Sequence, residues 1–173
     1  PAENFFGPCT FTYRLNDGSL NSNVATVTID VEPVNDPPIL DPVGNRSVGE
    51  GSNLIISLGG SDVDNTILTF ASNNLPDGAT LVGNTFSWTP TEAQGPDDYE
   101  VTFEVSDGSG GVDTETVTIS VGEVNEAPTL EEINEITANE MTLVSFSAVG
   151  DDVDLPANSL TYSLMGAPLG ASI

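Results

Sequence analysis

Two stretches of this chain repeat each other at a spacing of 90 residues, and no other feature narrows its architecture as much. Asp17-Gly18 recurs as Asp107-Gly108, and Val34-Asn35-Asp36-Pro37-Pro38 as Val124-Asn125-Glu126-Ala127-Pro128. Glu50 recurs as Glu140, and Asp62-Val63-Asp64 as Asp152-Val153-Asp154. Residues 11–64 and 101–154 are identical at 19 of 54 positions without a gap. A fixed period marks a tandem array of similar units. The expected organisation is residues 1–34 as the C-terminal strands of a preceding module, 35–122 as a complete module and 123–173 as the N-terminal part of a following one. Such end pieces cannot close a sandwich alone, so the chain reads as a window on a longer polypeptide. The alternative is completion of residues 129–173 by strands of another copy.

Within the modules the hydrophobic period is two. Tyr99, Val101, Phe103 and Val105 alternate with Glu100, Thr102 and Glu104, and Val117, Ile119 and Val121 alternate with Thr118 and Ser120. Alternation of this kind, punctuated by Gly, Asn, Asp and Pro, reads as half-buried antiparallel strands. The expected fold class is all-β: tandem Greek-key β-sandwich modules of about 90 residues, seven short strands each. For the complete module the strands fall near 43–49, 53–59, 66–72, 79–82, 84–89, 98–106 and 112–121. The expected core is Leu54, Ile56, Leu58, Leu68, Phe70, Leu81, Phe86, Trp88, Tyr99, Val101, Phe103, Val105, Val117, Ile119 and Val121. Pro33–Pro38 and Glu123–Pro128 are the linkers, and their prolines restrict the backbone between neighbours.

Charge removes whole classes of function. The chain carries 27 Asp plus Glu against Arg14 and Arg46, with no Lys and no His, for a formal net charge of -25. Nucleic acid and anionic membrane are poor partners for it, because phosphate recognition needs Lys and Arg. Without His there is no Ser-His-Asp or Cys-His nucleophile and no His-ligated zinc. Cys9 is the only cysteine, so no internal disulfide forms. No apolar run reaches the roughly 18 residues of a spanning helix.

The hairpin and linker residues carry a family resemblance over nearly the whole chain. Asp-Gly followed by a strand and then Val34-Asn35-Asp36-Pro37-Pro38 resembles the end of a cadherin-like repeat. Residues 39–128 are similar to the dystroglycan-type cadherin-like, or immunoglobulin-like, tandem repeats of large bacterial and archaeal surface proteins. Leu75-Pro76-Asp77-Gly78-Ala79 and Phe86-Ser87-Trp88-Thr89-Pro90-Thr91 carry that likeness, and Pro1–Gly7 with Phe11-Thr12-Tyr13 resembles a related bacterial repeat.

The resemblance implies an extracellular or cell-surface location and Ca²⁺ between modules. At the first junction Asn35 and Asp36 would face Asp62, Asp64 and Asp107. At the second, Glu123, Asn125 and Glu126 would meet Glu50, Asp152 and Asp154, with Glu92 joining from the same pole. The sequence departs from the cadherin pattern at Pro33, where the linker would carry an acid, and at Pro37 and Ala127, where it would carry Asn. The mid-domain Asp-Arg-Glu triplet is reduced to Glu92. Fewer ions per junction than in a full cadherin are therefore expected.

The chemistry suits the ion. Calcium takes six to eight oxygens, several of them charged, from flexible loops. Two carboxylates about 5 Å apart at an effective dielectric of about 20 repel by roughly 3 kcal/mol, so an ion-free cluster would splay. The bland reading is that Asp-Gly and Asp-x-Asp are turn caps and that Glu100, Glu104, Glu115, Glu131 and Glu135 are solvated surface acids.

The function expected is a calcium-stiffened structural segment of a long extracellular repeat protein: an adhesin stalk, surface-layer element or filament. Its partners would be neighbouring modules of the same chain, other copies of itself or surface polysaccharide. The alternative is a carbohydrate-binding module, with Trp88 as a stacking platform. Paired acids in interdomain turns do not make an enzyme pocket.

Overall fold

The computed structural model describes residues 2–173. Its central part is a two-sheet sandwich, and each sheet follows from the alternation of apolar residues. Strands β1 (Gly7–Tyr13) and β2 (Ala25–Val31) form an antiparallel hairpin. Then come β3 (Ile39–Leu40), β4 (Arg46–Gly49), β5 (Leu54–Ser57), β6 (Gly60–Ser61), β7 (Thr69–Ser72), β8 (Thr80–Val82) and β9 (Thr85–Trp88). A 3-10 turn at Glu92–Gln94 precedes β10 (Asp97–Ser106) and β11 (Val112–Gly122). Two short strands follow, β12 (Thr129–Leu130) and β13 (Gly150–Asp151).

One sheet has the order β4-β11-β10-β7 and the other β5-β9-β8. The long hairpin β10–β11 is the spine, running from Asp97 opposite Val121 to Ser106 opposite Val112. β4 joins β11 in parallel, with Arg46 opposite Ile119 and Gly49 opposite Gly122. Period two sends Val101, Phe103, Val105, Val117, Ile119 and Val121 into the interior, where Ile56, Phe86 and Trp88 of the other sheet meet them. The Phe86 and Phe103 rings pack edge-on with centroids 5.5 Å apart, and Trp88 packs edge-on to Tyr99 at 4.9 Å, an arrangement that aromatic quadrupoles favour.

All seven expected strands form, and every expected core residue is buried or packed against the core. Leu40 and Val43 also enter it. They lie beside Pro42 and Gly44, where turn chemistry masks an alternating pattern. Trp88 is 1% exposed, and its indole N–H donates to the Asp77 carbonyl at 3.1 Å. Buried in this way it offers no face to a sugar.

The tail differs from expectation. The N-terminal part of a following module was expected there, and among the described residues 129–173 only the short strands β12 and β13 form. In the central unit β4 and β7 pair with β11 and β10, whereas residues 129–173 contain no counterpart of that hairpin. Val144, Phe146, Tyr162 and Leu164 stay exposed. Among the described residues no helix is long and apolar enough to cross a membrane.

Candidate metal centre

The sandwich brings loops and linkers together at each end of the central unit. At the end where the chain enters, Asn35 donates from its side-chain amide to Asp107 Oδ2 at 2.6 Å, and the Asp36 N–H donates to Asp64 Oδ2 at 2.7 Å. Asp62 folds back on its own loop, accepting the N–H groups of Asp64 and Asn65 on Oδ1, each at 2.7 Å. Its other oxygen is buried without a hydrogen-bond partner among the described residues. Asp107 accepts the N–H groups of Ser109 and Gly111 on Oδ1. The Asn35 amide, aided by these backbone donors, holds the Asp107 carboxyl below its ordinary range, although burial opposes them. All five acids and amides proposed for this junction are therefore gathered, yet several of their oxygens are already engaged in turn capping, as the bland reading requires. A cavity of about 340 Å³ opens beside them, lined in part by Glu3, Glu32, Asp36 and Asp64.

The exit end is more acidic and less well satisfied. Glu50 follows β4, Glu92 opens the 3-10 turn and Glu123 follows β11. One oxygen from each lies within 4.8 Å of the others. Glu50 is 6% exposed. Its Oε1 accepts the Val124 N–H at 2.9 Å, while its Oε2 is buried without a partner among the described residues. That orphan is hemmed in by Gly95, where an added Cβ would collide with it.

Across the junction Glu92 Oε1 accepts the Leu155 N–H at 2.7 Å, and the Glu126 N–H donates to Asp154 Oδ1 at 2.9 Å. Asp154 is 1% exposed, and its Oδ2 accepts from the Asn158 amide at 2.8 Å. Asp152 caps its own loop through the Asp154 N–H at 3.0 Å. The Asn125 amide turns inward to the Glu126 carbonyl at 2.9 Å rather than to the acids.

The crowding shows in the protonation equilibria. Glu123 remains solvent-exposed at its rim, yet its carboxyl is pushed up to about 7, first by partial desolvation, then by the charge of Glu50 and a proton shared with the Glu50 carboxylate, and last by the charges of Glu92 and Asp154. Glu92 is raised too, chiefly by desolvation and by the charges of Glu50 and Asp154, although the Leu155 N–H pulls the other way.

These residues fit a hard divalent cation. The donors are carboxylate oxygens from three separate segments, one of them a buried oxygen whose only donors are protons shared with the neighbouring glutamates, and a cluster of this kind is the environment calcium selects. A zinc set would need nitrogen or sulfur ligands. Sequence reasoning did not name Asn65, whose amide donates to Asn35 Oδ1 at 3.2 Å, nor Asn158 or Glu3. Asn65 directly follows Asp-x-Asp and could have been flagged from that position.

The fold is that of a cadherin-like, Ig-like β-sandwich domain, and acidic residues gather at both of its ends. The family model described as bacterial Ig domain matches residues 35–120. Among solved structures, human CDH23 EC21-23 is similar at 17% identity and a TM-score of 0.53, covering 84% of this chain and 54% of that one. The Protocadherin GammaB4 extracellular domain is similar at 23% identity and a TM-score of 0.50, covering 72% of this chain and 22% of that one. The chain thus spans well under two thirds of the length of either structure, and at these identities the likeness establishes the fold. No curated protein matches the chain.

Proposed function

We propose that the chain is a calcium-stiffened structural segment of a long extracellular repeat protein, such as an adhesin stalk, surface-layer element or filament. In this reading residues 1–34 and 123–173 are parts of neighbouring modules, and Ca²⁺ sits where modules meet. The observation that carries it is the buried Glu50 Oε2, without an amide or hydroxyl donor, inside a three-glutamate cluster at the start of the exit linker. A junction built only for solubility would leave those acids apart in solvent, since like charges so close repel.

Glu50, Glu92 and Glu123 would hold the ion at the exit end, with Asp154 close by. Asn35, Asp36, Asp62, Asp64 and Asp107 would serve the entry end. The bound ion supplies charge neutralisation and a common anchor for segments on either side of the linker. The protein's part is to present oxygens from β4, the 3-10 turn, the linker and the following loop at once. Removing the ion leaves only a few hydrogen bonds across the junction, so the angle between units loosens while each apolar core stays intact.

Titration calorimetry on the full chain tests this. Binding at roughly 0.1–1 mM, the range of extracellular modules, is expected with calcium. No binding up to about 10 mM, well above that range, would defeat the proposal.

A further inference from the structure

The central unit leaves one backbone edge open beside an apolar groove. β7 is the last strand of its sheet and pairs only with β10. Asn74 shows which way the β10 backbone points. Its side-chain nitrogen donates to the Glu100 carbonyl at 2.9 Å, and its Oδ1 accepts the Thr102 N–H at 2.8 Å. In an antiparallel pair this direction repeats at every second residue. Ala71, opposite Glu104, and Thr69, opposite Ser106, are therefore the residues of β7 that bond to β10. Phe70 and Ser72 turn their N–H and C=O groups the other way, where no strand stands. Sheets commonly guard such an edge with charge or proline. The run Thr69-Phe70-Ala71-Ser72 has neither.

The inner side of this edge is apolar. Leu68 and Phe70 of one sheet edge and Leu81 of the other are half-buried, and together they line a cavity of about 460 Å³ beside the β8–β9 turn. Ser72 shares the inner side with Phe70, because the residue opposite it, Phe103, faces the core. The Ser72 Oγ is buried without a hydrogen-bond partner among the described residues. An unpaired buried hydroxyl is costly, so it marks a place where a polar neighbour is missing.

The outer side is acidic. Glu104 lies directly behind Ala71, and Glu100 follows on the same face of β10. Ala71 is too short to screen Glu104 from a strand added beyond it. With no Lys and a formal net charge of -25, a second copy would set acid against acid there.

We propose that β7 is a docking edge for an extended peptide of a partner protein, one that alternates apolar or small polar residues with Lys or Arg. Its backbone pairs with the outward groups of Phe70 and Ser72. Its apolar side chains fill the groove beside Leu68 and Leu81, and its basic side chains reach over Ala71 to Glu104. In strand addition the main chain supplies affinity and alternate side chains supply selectivity. None of the groups used is a candidate calcium ligand, so this proposal stands apart from the calcium reading.

The test is NMR amide exchange on the full chain, in chelator and at about 0.15 M salt. In the free protein the Phe70 and Ser72 amides should exchange about tenfold or more faster than that of Ala71. The probe is a peptide of about eight residues that alternates valine and lysine. It should bind with a dissociation constant below about 1 mM and protect the Phe70 and Ser72 amides. The same peptide with glutamate in place of lysine should not bind.

Ser72→Pro removes an outward N–H and spares the ladder to β10, so it should keep the parent's Tm and weaken binding about tenfold or more. If that variant fails to fold, a peptide methylated on the backbone nitrogens that face β7 asks the same question of the unaltered protein, and it should not bind. Glu104→Lys should weaken the lysine peptide and admit the glutamate one, a reversal that loss of fold cannot produce. Equal binding of the two peptides, binding without protection at Phe70 and Ser72, or no binding would overturn the proposal. So would protection of those amides that grows with protein concentration in the absence of peptide, which assigns the edge to a second copy.

Discussion

Glu50→Gln separates a metal ligand from a structural acid because the two roles predict opposite signs. Glu50 Oε1 accepts the Val124 N–H, and Oε2 is buried and unpartnered beside Glu92 and Glu123. A glutamine keeps the first bond through its oxygen. Its amide can donate to the neighbouring carboxylates, which removes both the orphan and one like charge. In chelator the variant is therefore expected to be at least as stable as the parent.

In calcium the order reverses. For a dissociation constant of about 0.1–1 mM and calcium at about 10 mM, mass action stabilises the parent by roughly 1.4–2.7 kcal/mol. Losing one charged oxygen is expected to weaken binding about tenfold or more, cutting that gain by about 1 kcal/mol or more. A shift of 1 kcal/mol moves Tm by about 4–8 °C in a domain near this size. Thermal melts followed by circular dichroism, with and without calcium, should therefore cross. If Glu50→Gln costs the same stability in both conditions, Glu50 is a structural acid and the metal centre is wrongly placed.

Further outcomes bear on the same geometry. Gly95→Ala puts a methyl against the orphan oxygen of Glu50, so calorimetry should show weakened calcium binding by a variant that changes no charge. Glu123 has a folded value of about 7 against an ordinary 4.5, so its contribution to ion-free stability is fully present below about 4.5 and is lost as pH rises toward 7. Chelator melts should fall across that window, calcium should flatten the fall, and binding near pH 6 should release protons. Phe86, 0% exposed and edge-on to Phe103, should cost about 3–5 kcal/mol of unfolding free energy when truncated to alanine, read by denaturant titration. Chelation should make small-angle scattering report a more flexible particle at nearly unchanged circular dichroism; loss of the β signal would put the ion in the core instead.

What sequence alone determined here was mostly what repeats. Alternation along β10 and β11 follows directly from the two-residue period of a strand, so the buried positions from Val101 to Val121 could be read without coordinates. The acids of both junctions could be listed because their motifs recur in register. Their individual duties were not legible. Asp62 and Asp152 cap their own loops, whereas Glu50 carries an unpartnered oxygen. Glu50, Glu92 and Glu123 stand far apart in sequence, and only the closing of the sandwich brings them together. Glu115 makes the same point from the other side. It was read as a solvated acid, yet it shares the core face with Val117 and Ile119 and accepts the Val43 and Gly44 N–H groups, which the Pro42–Gly44 turn leaves without a ladder. Local pattern sets which face a side chain takes; the partners waiting on that face are delivered by segments distant in sequence, and only the tertiary structure decides them.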